Sequence, residues 1–182
     1  CKEQGGMPFL TDCNTLYPGS RKNALEHLTC AQLNGFWPMT TGCQVIIADG
    51  LRGTDEVEVP VPNGEYCKTA KIGRAIMDAD IFISLSHFKG HESTGFGGAI
   101  KNIGMGCGSR AGKMEQHASG HPAVQEDLCR GCHRCAKECG SDAISYNEKN
   151  KAVIDQDKCK GCGRCIGACN FDAIYSQCDS AN

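Results

Sequence analysis

The segment Cys129-Arg-Gly-Cys132-His-Arg-Cys135-Ala-Lys-Glu-Cys139 is followed thirty residues later by Cys159-Lys-Gly-Cys162-Gly-Arg-Cys165-Ile-Gly-Ala-Cys169. Both runs space their cysteines as C-x2-C-x2-C-x3-C. The likeness extends beyond the cysteines: Gly131 matches Gly161, Arg134 matches Arg164, and Asp142-Ala-Ile matches Asp172-Ala-Ile. An internal repeat at fixed offset indicates two copies of one structural unit.

The spacing has a chemical reading. A cubane cluster needs four thiolates around it, and three closely spaced cysteines on a tight loop reach three irons, with Gly131 and Gly161 keeping the loop small. The fourth cysteine of each run is expected to begin a helix that points away, and so to serve the other cluster, as in bacterial ferredoxins. The expectation is two 4Fe–4S clusters, the first held by Cys129, Cys132, Cys135 and Cys169, the second by Cys159, Cys162, Cys165 and Cys139. Zinc is the competing metal, but its sites seldom use two copies of a three-cysteine run with a fourth cysteine three residues on. The proline that commonly follows the fourth cysteine is replaced by Gly140 and Asn170. That frees a backbone N–H beside each cluster without removing a ligand.

The chain has 182 residues and a net charge of −2, which offers nucleic acid or a membrane surface no electrostatic partner. No apolar run is long enough for a membrane span, and no signal-peptide pattern is present. Fifteen cysteines in a short secreted protein would suggest disulfides. Here the number is odd and eight of them sit in two tight runs, so the expected compartment is reducing, the cytoplasm. Cys1-Lys-Glu-Gln-Gly-Gly reads as a helix tail closed by a glycine cap, and the expectation is a chain lacking its natural start.

Upstream of the repeat the pattern is that of an α/β domain, expected over residues 1–121, with the two-cluster ferredoxin domain at 122–182 and a linker over 116–125. Residues 7–12 read as a short strand. Residues 20–34 read as a helix capped by Ser20, with a stripe of Ala24, Leu25, Leu28, Ala31 and Leu33. Residues 44–49 read as a buried strand closed by Gly50, and 57–61 as an edge strand. Residues 68–79 read as a second helix, and Ile81 to Ser86 as a third strong strand. Strands alternating with helices predict a parallel sheet with flanking helices, followed by a small α+β bacterial-type ferredoxin domain.

Residues 86–113 differ in character. The stretch from Ser86 to His121 holds nine of the 23 glycines and four of the six histidines. A short helix is expected over 99–106. Gly97 and Gly98 ahead of it would present backbone N–H groups to an anion, with Lys89, Lys101, Arg110 and Lys113 supplying positive charge. The spacing is that of neither a Walker A loop nor a GxGxxG fingerprint. His87 and His91 are four apart and are candidates for acid/base work or metal ligation, with Lys101 as anion contact. The plain alternative is a structural loop. Cys107 reads by default as a small buried hydrophobe. Cys13, Cys30, Cys43, Cys67 and Cys178 carry no signal.

Thr11-Asp12 with Asn14-Thr-Leu-Tyr17, the strand Val45-Ile-Ile-Ala-Asp-Gly50, the Ser86-His-Phe-Lys-Gly-His91 run and Gly97-Gly-Ala-Ile-Lys-Asn102 together resemble the domain-of-unknown-function 362 family, across essentially the whole chain. The resemblance implies a cytoplasmic iron–sulfur protein of bacteria or archaea with a further strand–helix unit upstream, and it implies no reaction. The Gly-Gly-x-x-Lys loop after the histidine motif also resembles loops of the nickel-pincer lactate racemase family, which would make His87, His91 and Lys101 cofactor or substrate contacts. Three roles are open: an electron-transfer protein with a redox protein partner, a redox enzyme with a small anionic ligand or metal at 86–113, and a structural or oxygen-sensing iron–sulfur protein. Nucleic acid and membrane are not expected partners.

Overall fold

In a computed structural model, described here for residues 1–91, 95–117 and 121–176, the chain is a mixed α/β protein of short elements. A 3-10 turn over Lys2–Gln4 ends on Gly5 in the left-handed conformation, φ 81°, the glycine cap that the first six residues suggest. Strand β1 (Phe9–Asp12) pairs in parallel with β2 (Gln44–Ile47), Leu10 opposite Val45. Between them run helices α1 (Ala24–Leu33) and α2 (Pro38–Thr41). Helix α1 starts three residues later than a Ser20 cap suggests. Asn23 caps it instead, in extended conformation, its Oδ1 accepting from Glu26 N at 3.0 Å. The turn before it carries Lys22 inward, so residues 20–23 are spent on that contact rather than on a helical turn. The expected apolar stripe is not a core face: Leu25 and Leu33 are exposed, and His27 is the buried residue of the helix.

Strands β3 (Glu56–Pro60) and β4 (Thr69–Gly73) form an antiparallel pair with Val57 opposite Ile72. The reading of 68–79 as a helix is corrected here. Residues 69–73 ladder against β3, and only α3 (Arg74–Met77) is helical. Period-two pairing satisfied the backbone of 69–73 where sequence periodicity alone suggested 3.6. Gly73 ends β4 against the parallel pair: a Cβ there would lie 2.7 Å from Cys13 Sγ and 2.9 Å from Ala48 Cβ.

The expected strand at 81–86 is also corrected. It has no regular structure, and Ile81, Ile83 and Leu85 are exposed. A strand exists only as a paired ladder, and no described strand runs alongside this segment. The parallel sheet is thus two strands wide. Beyond it β5 (Lys89–His91) and β6 (Gly95–Gly97) form a hairpin, followed by α4 (Ala99–Cys107), close to its expected span, and α5 (Arg110–Gln116).

The remainder has a pseudo-twofold plan. Strand β7 (Pro122–Val124), helix α6 (Arg134–Lys137) and strand β8 (Ile144–Tyr146) recur thirty residues on as β9 (Ala152–Ile154), α7 (Arg164–Ala168) and β10 (Ile174–Ser176). The outer strands cross-pair, β7 with β10 and β8 with β9, both antiparallel. Residues 122–124, read as linker, are therefore sheet, and 118–120 of that stretch lie outside the described residues, as do 92–94 and Cys178. The core gathers here. Cys129, Cys135, Cys165, Cys169, Ile166 and Ile174 pack with Leu16 and Met114 from the preceding part of the chain. No described helix is long and apolar enough to cross a membrane.

Candidate metal centres

The two cysteine loops share a backbone as well as a sequence. Gly131 and Gly161 (φ 62° and 64°), His133 and Gly163 (61° and 66°), and Asp142 and Asp172 (50° and 53°) are all left-handed, each pair thirty residues apart. These reversals curl each run so that its first three cysteines line one cavity. Glycine is obligatory at 131, where a Cβ would lie 2.4 Å from Asn150 O.

The helix of each run precedes its fourth cysteine rather than following it, which corrects the expectation. Cys169 is the C-cap of α7 and Cys139 lies two residues past the end of α6. The third cysteine already sits in the first turn, and these helices last only one turn, so the fourth is delivered at the far end of a short rod.

Two cavities of about 320 Å³ each, mouths included, result. One is lined by Cys129, Cys132, Cys135 and Cys169, closed by Tyr146, Phe171 and Ile174. The other is lined by Cys139, Cys159, Cys162 and Cys165, closed by Ile144 and Ile154. Each holds three cysteines of one run and the last cysteine of the other. Backbone donors point at the sulfurs: Ala152 N lies 3.4 Å from Cys129 Sγ and Ala143 N 3.3 Å from Cys139 Sγ. The Tyr146 hydroxyl is 3.5 Å from Cys135 Sγ.

The electrostatics fit a cationic metal core. Burial pushes the Cys165 thiol up to about 12, and the neighbouring Cys162, Cys159, Cys135 and Cys139 push it the same way. Burial also raises Cys135 and Cys159. Burial raises Cys139 too, but donors from Ser141 and Ala143 outweigh it and its thiol is lowered. Thiols crowded into an apolar cavity become thiolates when iron supplies the positive charge. Among the described residues no three His, Cys, Asp or Glu side chains gather closely enough to hold a single ion.

The glycine- and histidine-rich segment divides. The Lys101 ammonium lies 2.8 Å from His91 Nε2, and Gly97 gives it room, since a Cβ there would be 3.2 Å from Lys101 Cδ. Gly98 is the N-cap of α4. His87 and Lys89 are exposed on the hairpin side. Arg110 and Lys113 are not with them. Both are buried on α5, the Lys113 ammonium donating to Gly108 O at 2.7 Å. Burial lowers Lys113, and Cys13, Asp49 and Asp12 pull it back up. Cys107 is half-buried and its thiol is raised, by burial first and then by Asp12. Cys13 is buried with its Sγ 3.4 Å from Cys107 O. The residues that sequence reasoning missed are those that join the two parts. Lys22 donates to Cys169 O at 3.0 Å and pairs with Asp172, and Arg52 pairs with Glu138; within the cysteine-bearing part, Lys151 donates to Cys129 O at 2.6 Å. A lysine two residues before a helix start carries no local mark of such a role.

A family model described as Domain of unknown function (DUF362) matches residues 1–153, and one described as 4Fe-4S binding domain matches residues 152–175. The latter covers the second cysteine run, while the first run falls within the former. No curated protein matches the chain. Cysteine geometry and family match agree on an iron–sulfur protein with a 4Fe–4S site.

Proposed function

Because the chain belongs to the DUF362 family, whose description assigns no reaction, we propose its role from its own residues: an iron–sulfur electron-transfer protein holding two 4Fe–4S clusters with crossed ligands. The single observation behind this reading is the pair of matched cavities, each closed by a cysteine from the opposite run. When bound, each cluster supplies a one-electron couple. The cysteine thiolates hold it, the N–H groups of Ala143 and Ala152 soften the charge on two of them, and the surrounding aliphatic and aromatic side chains limit water. Cys132 is exposed, so the first cavity opens to the surface where a redox protein partner can dock. Matched cavities side by side suit a relay better than a brace, since one cluster would staple so small a module.

The second reading is a redox enzyme with a small anionic ligand at 86–113. The observation favouring it is the Lys101–His91 contact beside the N-terminus of α4. Lys101 would hold an anion and His91 would exchange a proton with it.

The test is anaerobic purification, iron and sulfide analysis, and EPR after reduction. Two interacting 4Fe–4S centres are expected. Cys169→Ala should remove the centre of the first cavity and Cys139→Ala that of the second, each leaving the other's spectrum. Stoichiometric zinc without iron would sink the reading. Loss of a centre from the run that carries the mutation would refute the crossing. For the enzyme, a co-purifying anion released by Lys101→Ala is the expected sign.

A further inference from the structure

Among the positions at which the thirty-residue repeat differs, two decide how Arg110 packs on it. His133 of the first run corresponds to Gly163 of the second, and Lys137 to Gly167. His133 stacks on Tyr146 with ring centroids 3.8 Å apart, and Lys137 is exposed. The two glycines instead make room for Arg110. A Cβ at Gly163 would come within 2.7 Å of Arg110 Cδ, and one at Gly167 within 3.2 Å of its Nη2. Gly163 sits beside Cys162 and two residues before Cys165, so the arginine stem lies on the backbone of the second cysteine loop. Among the described residues, no buried cation reaches the first loop at His133.

Arg110 is fully buried. Its guanidinium donates to the carbonyl oxygens of Thr15 at 2.8 Å, Arg52 at 3.4 Å and Lys22. Carbonyls orient a guanidinium without neutralising it. The buried carboxylate near it is Asp49, whose oxygens accept from the Asn14 backbone N–H and Nδ2. Asp49 approaches across Gly53, where a Cβ would lie 2.9 Å from Arg110 Nε and 3.1 Å from Asp49 Oδ2. Asp49 tempers the charge. At the first cavity Lys22 is buried on Cys169 O but neutralised by its pair with Asp172, Lys151 is half-buried on Cys129 O, and Arg130 and Arg134 are exposed; at the second, Lys160 and Arg164 are exposed, and every exposed charge is screened by water and salt. A buried charge acts through a far lower effective dielectric.

We propose that Arg110 makes the two sites unequal: the cluster held by Cys139, Cys159, Cys162 and Cys165 has the higher reduction potential, and an electron shared between the sites rests there. The reasoning is Coulombic. Reduction adds one negative charge to a cluster, and a fixed buried cation beside one site lowers the free energy of that charge there. The inference rests on the two-cluster reading above. Its role for Arg110 is a positioning one, setting charge rather than ligating iron.

The test is an anaerobic redox titration of the full chain, with dithionite as electron donor and EPR as readout, on wild type, Arg110→Met and Arg110→Lys. The Met variant should lower the higher-potential wave by at least tenfold in its one-electron equilibrium, about 59 mV, and move the lower wave less. The Lys variant should stay close to wild type. A merely structural role would change iron content or melting and leave the waves in place. Both waves unmoved, or moved equally, in an iron-replete Met variant overturns the proposal. Where the Met variant does not retain its iron, Cys132→Ser decides. It perturbs the first cavity at an exposed ligand, so the lower-potential wave should shift, and a shift of the higher wave overturns the proposal. Wild-type protein holding iron for one cluster fails the two-cluster reading itself, before any titration, and the inference with it.

Discussion

Gly163 is needed for what rests on it as much as for its own backbone. Its φ of 66° is one that His133 adopts at the equivalent position of the first run, so the left-handed turn alone does not demand glycine. The Arg110 stem does, at 2.7 Å from where a Cβ would stand. Gly163→Ala therefore combines overpacking with a left-handed Cβ and is expected to destabilise the iron-loaded protein by about 2–4 kcal/mol. Gly140→Ala, where a Cβ would meet nothing within 4 Å, should stay within about 0.5 kcal/mol of wild type. Urea unfolding of both variants measures the difference, and equal midpoints would refute the packing argument. At this scale the candidate cysteine ligands are legible because their spacing encodes their geometry. Arg110 reads in sequence as one more cation of a glycine-rich loop, and nothing local distinguishes a side chain turned to solvent from one turned inward beneath a cysteine loop.

The pairing of β4 with α5 sets where Arg110 enters the interior. Lys71 on β4 lies 3.0 Å from Glu115 on α5, a charge pair rather than an aligned hydrogen bond. Burial lowers Lys71, but Glu115, Glu56 and Glu58 outweigh it and the ammonium is raised overall. A lysine raised on folding contributes stability that is present in full below its unfolded value of about 10.4. That contribution fades as pH rises through the higher folded value. Both partners are partly exposed, which limits the pair to about 0.5–1 kcal/mol. Lys71→Met should cost that much at pH 7, and the gap to wild type should close in strongly alkaline urea titrations. A gap independent of pH would assign the effect to packing. Among the elements, β1, β2, β3 and α4 are legible because alternation, caps and glycine stops lie within a few residues. Residues 69–73 and 81–86 are not. The first is a mixed polar and apolar segment and the second a mainly apolar run, and whether either becomes strand depends on a partner elsewhere in the chain.

Across the whole molecule, the core is built around the cysteines. Cys129, Cys135, Cys165 and Cys169 are buried with Ile166 and Ile174, and Leu16 and Met114 reach into the same cluster from upstream. Lys22 and Arg52 bond to the same module, and the Arg110 stem packs on it at Gly163. Metal binding is then folding free energy for more than the loops that ligate it. Stripping iron with an anaerobic chelator should lower the melting temperature of the entire chain and expose residues near Leu16 to protease along with the cysteine loops. Upstream residues that stay protected after iron loss would show that they fold apart from it. The amino-acid sequence by itself determined the ligand spacing, the two copies and their thirty-residue offset, because a cubane demands thiolates at short, regular intervals that can be counted along the chain. Only the tertiary structure decided which strands pair, where the helix of each run sits relative to its fourth cysteine, and that one buried arginine attends the second loop and not the first. Those outcomes are contacts between residues far apart in sequence, and their free energy is set by the space and charge each leaves for the other once the chain has closed.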